Sequence, residues 1–339
     1  MTSRKTNIKQ HYVPQFYLRN FADENEKFFV FDVNRENKYQ TSPKKECYEK
    51  LLYDINPDIL NKFSDHSENY EEIVDDNIRI LNEEVSAILL NFLDRTIKSE
   101  KDFKFERTER EKLYDFILLQ TFRTPFYRER LGYLGVSFAL KTGVKDLEDK
   151  EFLDVIHNLL TFGIIEQLYG LDFKLNKTYH LFFDHLIDEI LNIKTQLRNA
   201  GKLFLLNKSK EHFITTNTPI NIRWKPDFLA YHRALMTFPG EDKPVVDIGN
   251  YIEFLTIHLP ISSDFSIFIF EKELDKNLTE LNRGIGIIRD WNSDLITNLN
   301  YSAFLKSSDK VISKTNNFKK YVDMKKQRQN PAMNFRFSE

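Results

Sequence analysis

The spacing of apolar residues changes near residue 200, and this change constrains the fold more than any other feature of the chain. Residues 68–98 place apolar side chains at alternating steps of four and three, as the buried face of an amphipathic helix does. After residue 200, short β-branched and aromatic runs are separated by Asn, Pro, Gly and Ser, which is typical of strands. The chain therefore predicts an α+β protein, with a helical body packed on a mainly antiparallel β-sheet.

An N-terminal hairpin is expected to add to this sheet. Apolar residues 28–33 lead into the turn-forming Asn34-Arg35-Glu36-Asn37, after which residues 38–41 return. Residues 44–53 predict either a short helix or an irregular edge. The other expected elements are helices over 147–160, 179–198 and 278–299, strands over 202–207, 212–215, 220–224, 251–259 and 265–270, and a last strand over 303–306 or 311–313.

A helix with a defined start and a defined break is predicted after residue 107. Thr108 and Glu111 match a capping box, in which each side chain binds a backbone N–H of the first turn. This helix should continue to about Arg123. Pro125 disfavours helical geometry at Thr124, so the chain should kink or break there.

The length of the chain and the distribution of its motifs indicate how many domains it forms. The 339 residues exceed the roughly 250 to 300 at which single cores stop growing, but the motifs described below extend over most of the chain. We expect one domain over 1–318, made of an N-terminal motif and hairpin (1–64), a helical region (65–200) and a β-rich region with a late helix (201–318). The basic tail, 319–339, is expected to be a solvated terminus.

Composition narrows the class of protein. Lys and Arg number 49 against 51 Asp and Glu, so any nucleic-acid binding must depend on a local patch. The single Cys47 excludes an intramolecular disulfide. No run approaches the ~18 apolar residues of a membrane span, and the N-terminus lacks the apolar segment of a secretion signal. We expect a cytoplasmic protein with no membrane partner.

The first candidate site is the sequence HYVPQFYLRNF, which begins at His11. Pro14 suits the first position of a helix, and such a helix places Gln15 and Arg19 on one face beside His11. Histidine exchanges protons near neutral pH and arginine binds phosphate or carboxylate, so these residues predict acid–base chemistry on an anionic substrate. A structural role is the alternative, with His11 capping the helix and Arg19 pairing with a nearby acid.

Gln120 and Arg123 form the second candidate site. They continue the apolar stripe that passes through Phe116, at positions where a helix normally buries leucine. Buried polar side chains need partners. These two therefore either satisfy backbone groups freed by Pro125 or point into a cleft lined by the first site.

The third candidate site follows an apolar strand and reads TTNTP. Thr216 and Asn217 could hydrogen-bond a ligand there, although Thr, Asn and Pro also form ordinary turns. Together with Tyr12 of the first site, they are our candidate substrate-binding residues.

These segments together resemble an uncharacterised bacterial family, domain of unknown function 4238. The resemblance covers roughly 9–313 and rests on HYVPQFYLRNF at 11–21, QTFRTPF at 120–126, FITTNTPI at 213–220, HLPIS at 258–262 and DWN at 290–292. The family typically reads Ser-Asp-Asn-Pro where this chain has Thr216-Asn217-Thr218-Pro219. The acid is missing, so we assign no metal there. The resemblance implies no established activity.

The sequence predicts one cleft in which the polar residues converge. Its expected occupant is RNA or another phosphate-containing substrate, and neither a metal nor a cofactor is assigned. Arg19 and Arg123 would bind phosphate, and His11 would transfer protons. Gln15 and Gln120 would orient the substrate or water, with Asn217 completing the cleft.

Three functional interpretations stay open. The first is a nuclease-like enzyme, in a bacterial toxin or in antiphage defence, a setting suggested by how often uncharacterised bacterial proteins act in such systems. The second is a non-enzymatic sensor or adaptor that binds a nucleotide or peptide. The third makes Gln120 and Arg123 internal braces around the break at Pro125.

Overall fold

The computed structural model describes residues 9–50, 52, 53, 55, 61, 63, 70–99, 106–130, 149–171, 173–207, 209–224, 254–270, 287–291, 293–307 and 309–329. Its helices are α1 (Gln15–Arg19), α2 (Tyr70–Ser99), α3 (Arg107–Phe122), α4 (Pro125–Arg130), α5 (Asp149–Tyr169), α6 (Lys177–Asn199), α7 (Ser293–Lys306) and α8 (Lys319–Gln329). Its strands are β1 (Lys9–His11), β2 (Phe28–Asp32), β3 (Asn37–Thr41), β4 (Tyr48–Lys50), β5 (Gly201–Asn207), β6 (Thr215–Thr216), β7 (Asn221–Trp224), β8 (Phe254–Pro260), β9 (Phe265–Phe270), β10 (Ile287–Trp291) and β11 (Lys310–Ser313).

The strands form three sheets. The largest has the order β10-β5-β9-β8-β7, and all its pairs are antiparallel except the parallel pair β10 and β5. The predicted hairpin, β2 and β3, continues through β11 and β6 into a separate antiparallel sheet. The short strands β1 and β4 pair as a third, two-stranded sheet. The α+β class and its mainly antiparallel strands are confirmed.

Four long helices, α2, α3, α5 and α6, pack on one another as the helical body. Their buried side chains belong to the same core as those of the five-stranded sheet. For example, the ring of Phe92 on α2 meets the edge of Phe265 on β9, with ring centroids 5.8 Å apart. Among the described helices, none is long and apolar enough to cross a membrane.

The short helix α1 is held between these layers by its buried side. The Tyr17 hydroxyl lies 2.9 Å from Thr215 Oγ1 of β6 and donates a hydrogen bond to the carbonyl of Pro260 at the end of β8. One turn later, Asn20 Nδ2 donates to the carbonyl of Ile261 at 2.9 Å. Because Tyr17 is fully buried, these bonds fix α1 to both larger sheets in a place that excludes water.

Several sequence-based boundaries hold and others are wrong. The break at Pro125 is confirmed, since α3 ends at Phe122 and α4 begins at Pro125. The capping box, however, is formed by Glu106 and Glu109, two residues before the predicted pair. An acidic side chain also accepts a backbone N–H, and the predicted N-cap, Thr108, lies inside the first turn.

The C-terminal third departs further from the expectation. A single helix over 278–299 is wrong: Ile287–Trp291 is a strand parallel to β5 and α7 follows it, whereas 278–286 lies outside the described residues. The apolar residues showed an apparent helical spacing because a short strand with β-branched residues directly precedes a helix. The last strand is Lys310–Ser313. The first residues of the segment predicted to be a solvated tail form α8, which is anchored by the buried Tyr321.

Replacement of Gly163 by alanine should destabilise the protein. A Cβ atom at this position on α5 would overlap the Tyr179 hydroxyl and the Ile187 side chain of α6. Alanine gains about 1 kcal/mol in helix propensity, but overpacking of a close helix contact costs about 1–3 kcal/mol. Urea unfolding should give a lower free energy of unfolding for Gly163→Ala. Gln167 is exposed on the same helix and provides the control. The variant Gln167→Ala should change the free energy of unfolding by at most about 0.5 kcal/mol.

Candidate functional site

The two-stranded sheet of β1 and β4 sorts its side chains onto two faces. Gln10 pairs with Glu49 and points inward, where its Oε1 accepts the backbone N–H of Tyr53 at 3.1 Å. Glu49 binds Arg128 through two hydrogen bonds of 2.7 and 2.8 Å. The residues of the opposite face, which we call the ribbon face, are Lys9, His11, Tyr48 and Lys50.

The ribbon face combines cations with aromatic rings. The His11 and Tyr48 rings lie 5.6 Å apart between centroids, and Lys9 Nζ lies 4.6 Å from the Tyr48 centroid. Lys9 and Lys50 are exposed, whereas His11 and Tyr48 are half-buried. This arrangement can hold anions, and its ring surfaces can stack on flat ligands.

His11 lies in a positively charged environment. Burial lowers the pKa of its imidazole, the backbone of Glu46 opposes this shift, and the charges of Arg123, Lys9 and Arg19 lower the pKa further. The buried Nδ1 atom has no hydrogen-bond partner. At neutral pH the ring is therefore neutral and able to accept a proton.

Gln120 and Arg123 are buried at the end of α3 and bind each other. Gln120 Nε2 donates to the carbonyl of Tyr12 at 2.8 Å, and its Oε1 accepts from Arg123 Nε at 3.0 Å and Nη2 at 2.6 Å. Gln120 therefore contacts the first site, whereas the predicted opening of Gln120 and Arg123 into a cleft stays a prediction. The contact is with the backbone of that site, since Gln120 is fully buried and Arg123 is 2% exposed.

The Arg123 guanidinium also interacts with the buried Tyr53. The Tyr53 hydroxyl lies beside it without a hydrogen bond of good geometry. Burial lowers the pKa of Arg123, and the charges of Tyr53 and Asp75 oppose that shift. Burial likewise raises the pKa of Tyr53, and Arg123 counteracts it.

Gln15 and Arg19 lie on one face of α1, as predicted. Arg19 Nη2 approaches Gln15 Oε1 at 3.5 Å, and Arg19 Nε lies 3.9 Å from Glu26 Oε1. Both contacts are long and exposed, which leaves Arg19 available to an anion. Pro14 is the residue before the helix rather than its first residue, and His11 does not cap α1.

Asn217 and Thr216 take part in a turn that follows β6. Asn217 exchanges hydrogen bonds with the Lys310 backbone, at 3.0 Å through its own N–H and 3.3 Å through its Oδ1. Thr216 Oγ1 donates to the carbonyl of Thr218 at 2.7 Å and accepts its N–H at 3.0 Å. These bonds belong to a turn that ties β6 to β11. The third candidate, Tyr12, is buried with its hydroxyl beside the Cys47 thiol.

Sequence reasoning missed Lys9, Tyr48, Lys50 and Tyr53. A signal was present, since Lys-Gln-His and Tyr-Glu-Lys both alternate outward and inward residues. Strands of three residues are too short for periodicity to identify, and their pairing joins segments almost forty residues apart.

His180 and Asp184 lie one turn apart on α6, a spacing that suits either metal ligands or an ion pair. His180 Nδ1 lies 2.8 Å from Asp184 Oδ1, and the other ring nitrogen binds the carbonyl of Leu175, so the two side chains form an ion pair. Within the ranges that the structure describes, no three His, Cys, Asp or Glu side chains are grouped as metal ligands.

Comparison with known proteins gives one result. A family model described as "Protein of unknown function (DUF4238)" matches residues 9–317, from β1 to beyond β11. The chain belongs to the DUF4238 family. Among curated proteins and among solved structures, nothing matches it. Because the family description assigns no activity, a function for this DUF4238 protein must be argued from its own residues.

Another segment of the resemblance, HLPIS, contains a buried histidine. His258 on β8 is 3% exposed, lies between the rings of Phe213 and Phe268, and has no hydrogen-bond partner on either ring nitrogen. Burial, together with the charge of Lys306, lowers its pKa to about 3. Its role is therefore that of a neutral core side chain.

Replacement of Gln120 by leucine should destabilise the protein by about 3 kcal/mol. The change leaves the Tyr12 carbonyl and the buried Arg123 guanidinium without their partner, and buried groups that lose a partner carry a desolvation cost. Urea unfolding measures the effect. Gln15→Ala, which removes only the long contact to Arg19, should stay within about 0.5 kcal/mol. Equal stability of Gln120→Leu and the wild type would contradict the assigned hydrogen bonds.

Replacement of His258 by leucine should make stability less sensitive to acid. The folded-state pKa is lowered from 6.5 to about 3, so the neutral ring stabilises the fold above pH 6.5 and this contribution is lost as pH falls toward 3. Between pH 7 and pH 5 the wild type should lose about 2 kcal/mol from this group, and His258→Leu should not. Urea unfolding at both pH values tests this.

A second histidine provides the control for this measurement. Hydrogen bonding to Asp184 raises the pKa of the exposed His180, so its small stabilisation is present below pH 6.5. The variant His180→Ala should therefore be slightly more acid-sensitive than the wild type. An acid response of His258→Leu equal to that of the wild type would be the contrary result.

Proposed function

We propose that this protein binds RNA, or another phosphate-containing substrate, at the ribbon face and that His11 transfers protons in cleaving a phosphate ester. The proposal depends chiefly on His11, whose ring packs against Tyr48, experiences the charges of Arg123, Lys9 and Arg19, and has a buried Nδ1 with no hydrogen-bond partner among the described residues. A neutral imidazole beside cations suits a reaction in which a base works on an anionic substrate.

Each side chain has a defined role in this reaction. The neutral imidazole of His11 accepts the proton of an attacking hydroxyl, from water or a ribose 2′-hydroxyl, as that oxygen bonds to phosphorus. The bond from phosphorus to the leaving oxygen breaks, and the imidazolium returns the proton to that oxygen. Lys9 and Arg19 stabilise the negative charge that develops, and Tyr48 stacks on an unpaired base.

The proposed biological setting is a bacterial toxin or antiphage defence, because uncharacterised bacterial proteins often act in such systems and RNA cleavage suits both. A binding sensor is the second candidate, because His11 is the one histidine among the described residues of the ribbon face, and binding requires no second proton donor.

Purified wild-type protein should cleave a single-stranded RNA, and His11→Gln should do so at least about 100-fold more slowly. Glutamine retains polarity and approximate size but cannot exchange protons, so the melting temperature should be unchanged. Because the pKa of His11 is lowered, the wild-type rate should be constant above pH 6.5 and fall in acid. Denaturing gels of a labelled RNA, over a pH series, measure these rates.

Cation variants separate binding from cleavage. Lys9→Ala and Lys50→Ala should weaken RNA binding and reduce its salt dependence, because each removes one phosphate contact. The exposed Lys210, on the loop after β5, provides the matched control, and Lys210→Ala should bind as the wild type does. Binding without cleavage would favour the sensor. Cleavage that persists in His11→Gln would reject the enzyme mechanism. Equal RNA binding by all three lysine variants would reject the ribbon face as the binding surface.

A further inference from the structure

The turn that leads into β4 carries backbone contacts that fix the position of His11. The Cys47 carbonyl accepts the backbone N–H of Tyr12 at 3.0 Å. The next residue, Tyr48, pairs directly with His11 in the two-stranded sheet, and the two rings lie 5.6 Å apart between centroids. The backbone of Glu46, at the start of the turn, also opposes the lowering of the His11 pKa. A displacement of this turn would therefore move His11.

The conformation of this turn needs support from outside it. Cys47 has a φ of 53°, in the left-handed region that residues other than glycine rarely adopt. Such a backbone persists only where the surrounding structure holds it. The Glu46 side chain supplies an anchor, because it is buried and its Oε2 accepts a hydrogen bond from Lys310 Nζ at 2.9 Å. Lys310 of β11 therefore holds the turn from near the other end of the chain.

The segment after β6 holds Lys310 in turn. The Asn217 N–H donates to the Lys310 carbonyl at 3.0 Å, and Asn217 Oδ1 accepts the Lys310 N–H at 3.3 Å. The Ser307 hydroxyl donates to the same carbonyl at 3.0 Å. Because Asn217 is buried, water does not compete for these bonds. The third candidate site is thus connected to the first through one side chain, that of Lys310.

We infer that Lys310, held by Asn217 and bonded to Glu46, is a positioning residue that places His11 on the ribbon face. The effect on catalysis rests on the proposed function, whereas the effect on the position of the ring does not. A general base must lie within hydrogen-bond reach of the hydroxyl that it deprotonates. A small shift of His11 therefore slows the chemical step and leaves substrate binding by the exposed cations unchanged.

Histidine ring signals in NMR spectra test the position of His11 without any substrate. The double variant Glu46→Met/Lys310→Met removes the ion pair and leaves no unpaired charge buried, so it should fold. Its His11 signal, identified by its absence from His11→Gln, should change in chemical shift because the turn is released. The signal of His180, which is exposed on α6, should not change. Lys310→Arg retains a cation for Glu46 and should keep the wild-type His11 signal.

A second buried ion pair provides the matched control. Lys194 of α6 pairs with Asp115 of α3, and their side chains are 16% and 9% exposed, against 24% and 6% for Lys310 and Glu46. The variant Asp115→Met/Lys194→Met should leave the His11 signal unchanged. If Glu46→Met/Lys310→Met does not fold, Asn217→Ala tests the same connection, because it keeps the backbone bond to Lys310 and removes the side-chain bond. It should move the His11 signal by a smaller amount.

RNA cleavage by the same variants measures the catalytic effect. In Glu46→Met/Lys310→Met, kcat should fall about 100-fold with KM unchanged, and Lys310→Arg should stay close to the wild-type rate. A His11 signal that moves, in a protein that cleaves no RNA, supports the positioning role and rejects the enzyme. A His11 signal that does not move, or that moves as far in Asp115→Met/Lys194→Met, overturns the positioning role even if RNA is cleaved.

Discussion

The side-chain amide of Gln120 connects the N-terminal motif to the end of α3. One end of this amide binds the backbone of Tyr12 in the N-terminal motif, and the other binds the guanidinium of Arg123. Because the amide is fully buried, neither bond can be exchanged for water without opening the core. The position of β1, and hence of His11, depends on these bonds.

Hydrogen bonds to the two larger sheets hold the same N-terminal motif on its other side. Tyr17 binds at the end of β8 and at β6, and Asn20 binds just after β8, so the motif is fixed on the sheet side as well. A site that must hold a reacting group within a fraction of an ångström needs such rigid support. Arg123 is oriented by its bonds to Gln120, and its positive charge acts on both Tyr53 and His11.

The sequence predicted this region in part. The helical stripe through Phe116 placed Gln120 and Arg123 on the buried side of α3, because periodicity identifies long helices well. The same argument could not reveal which polar groups they meet, because Tyr12 is 108 residues from Gln120. Asn217 and Thr216 have turn chemistry that suits a ligand equally well, and the hydrogen bonds of Asn217 to the Lys310 backbone show the turn while the ligand role stays a prediction.

The long-range hydrogen bonds of Tyr17 also determine when the N-terminal motif can pack on the sheets during folding. Its partners Thr215 and Pro260 are 198 and 243 residues further along the chain. Contacts of such separation require the closure of very long loops, which makes folding slow relative to a helical bundle. On the ribosome, α1 must therefore wait for β6 and β8, which are translated long after it. The region around His11 is accordingly placed late in folding, although it is translated before the strands that hold it.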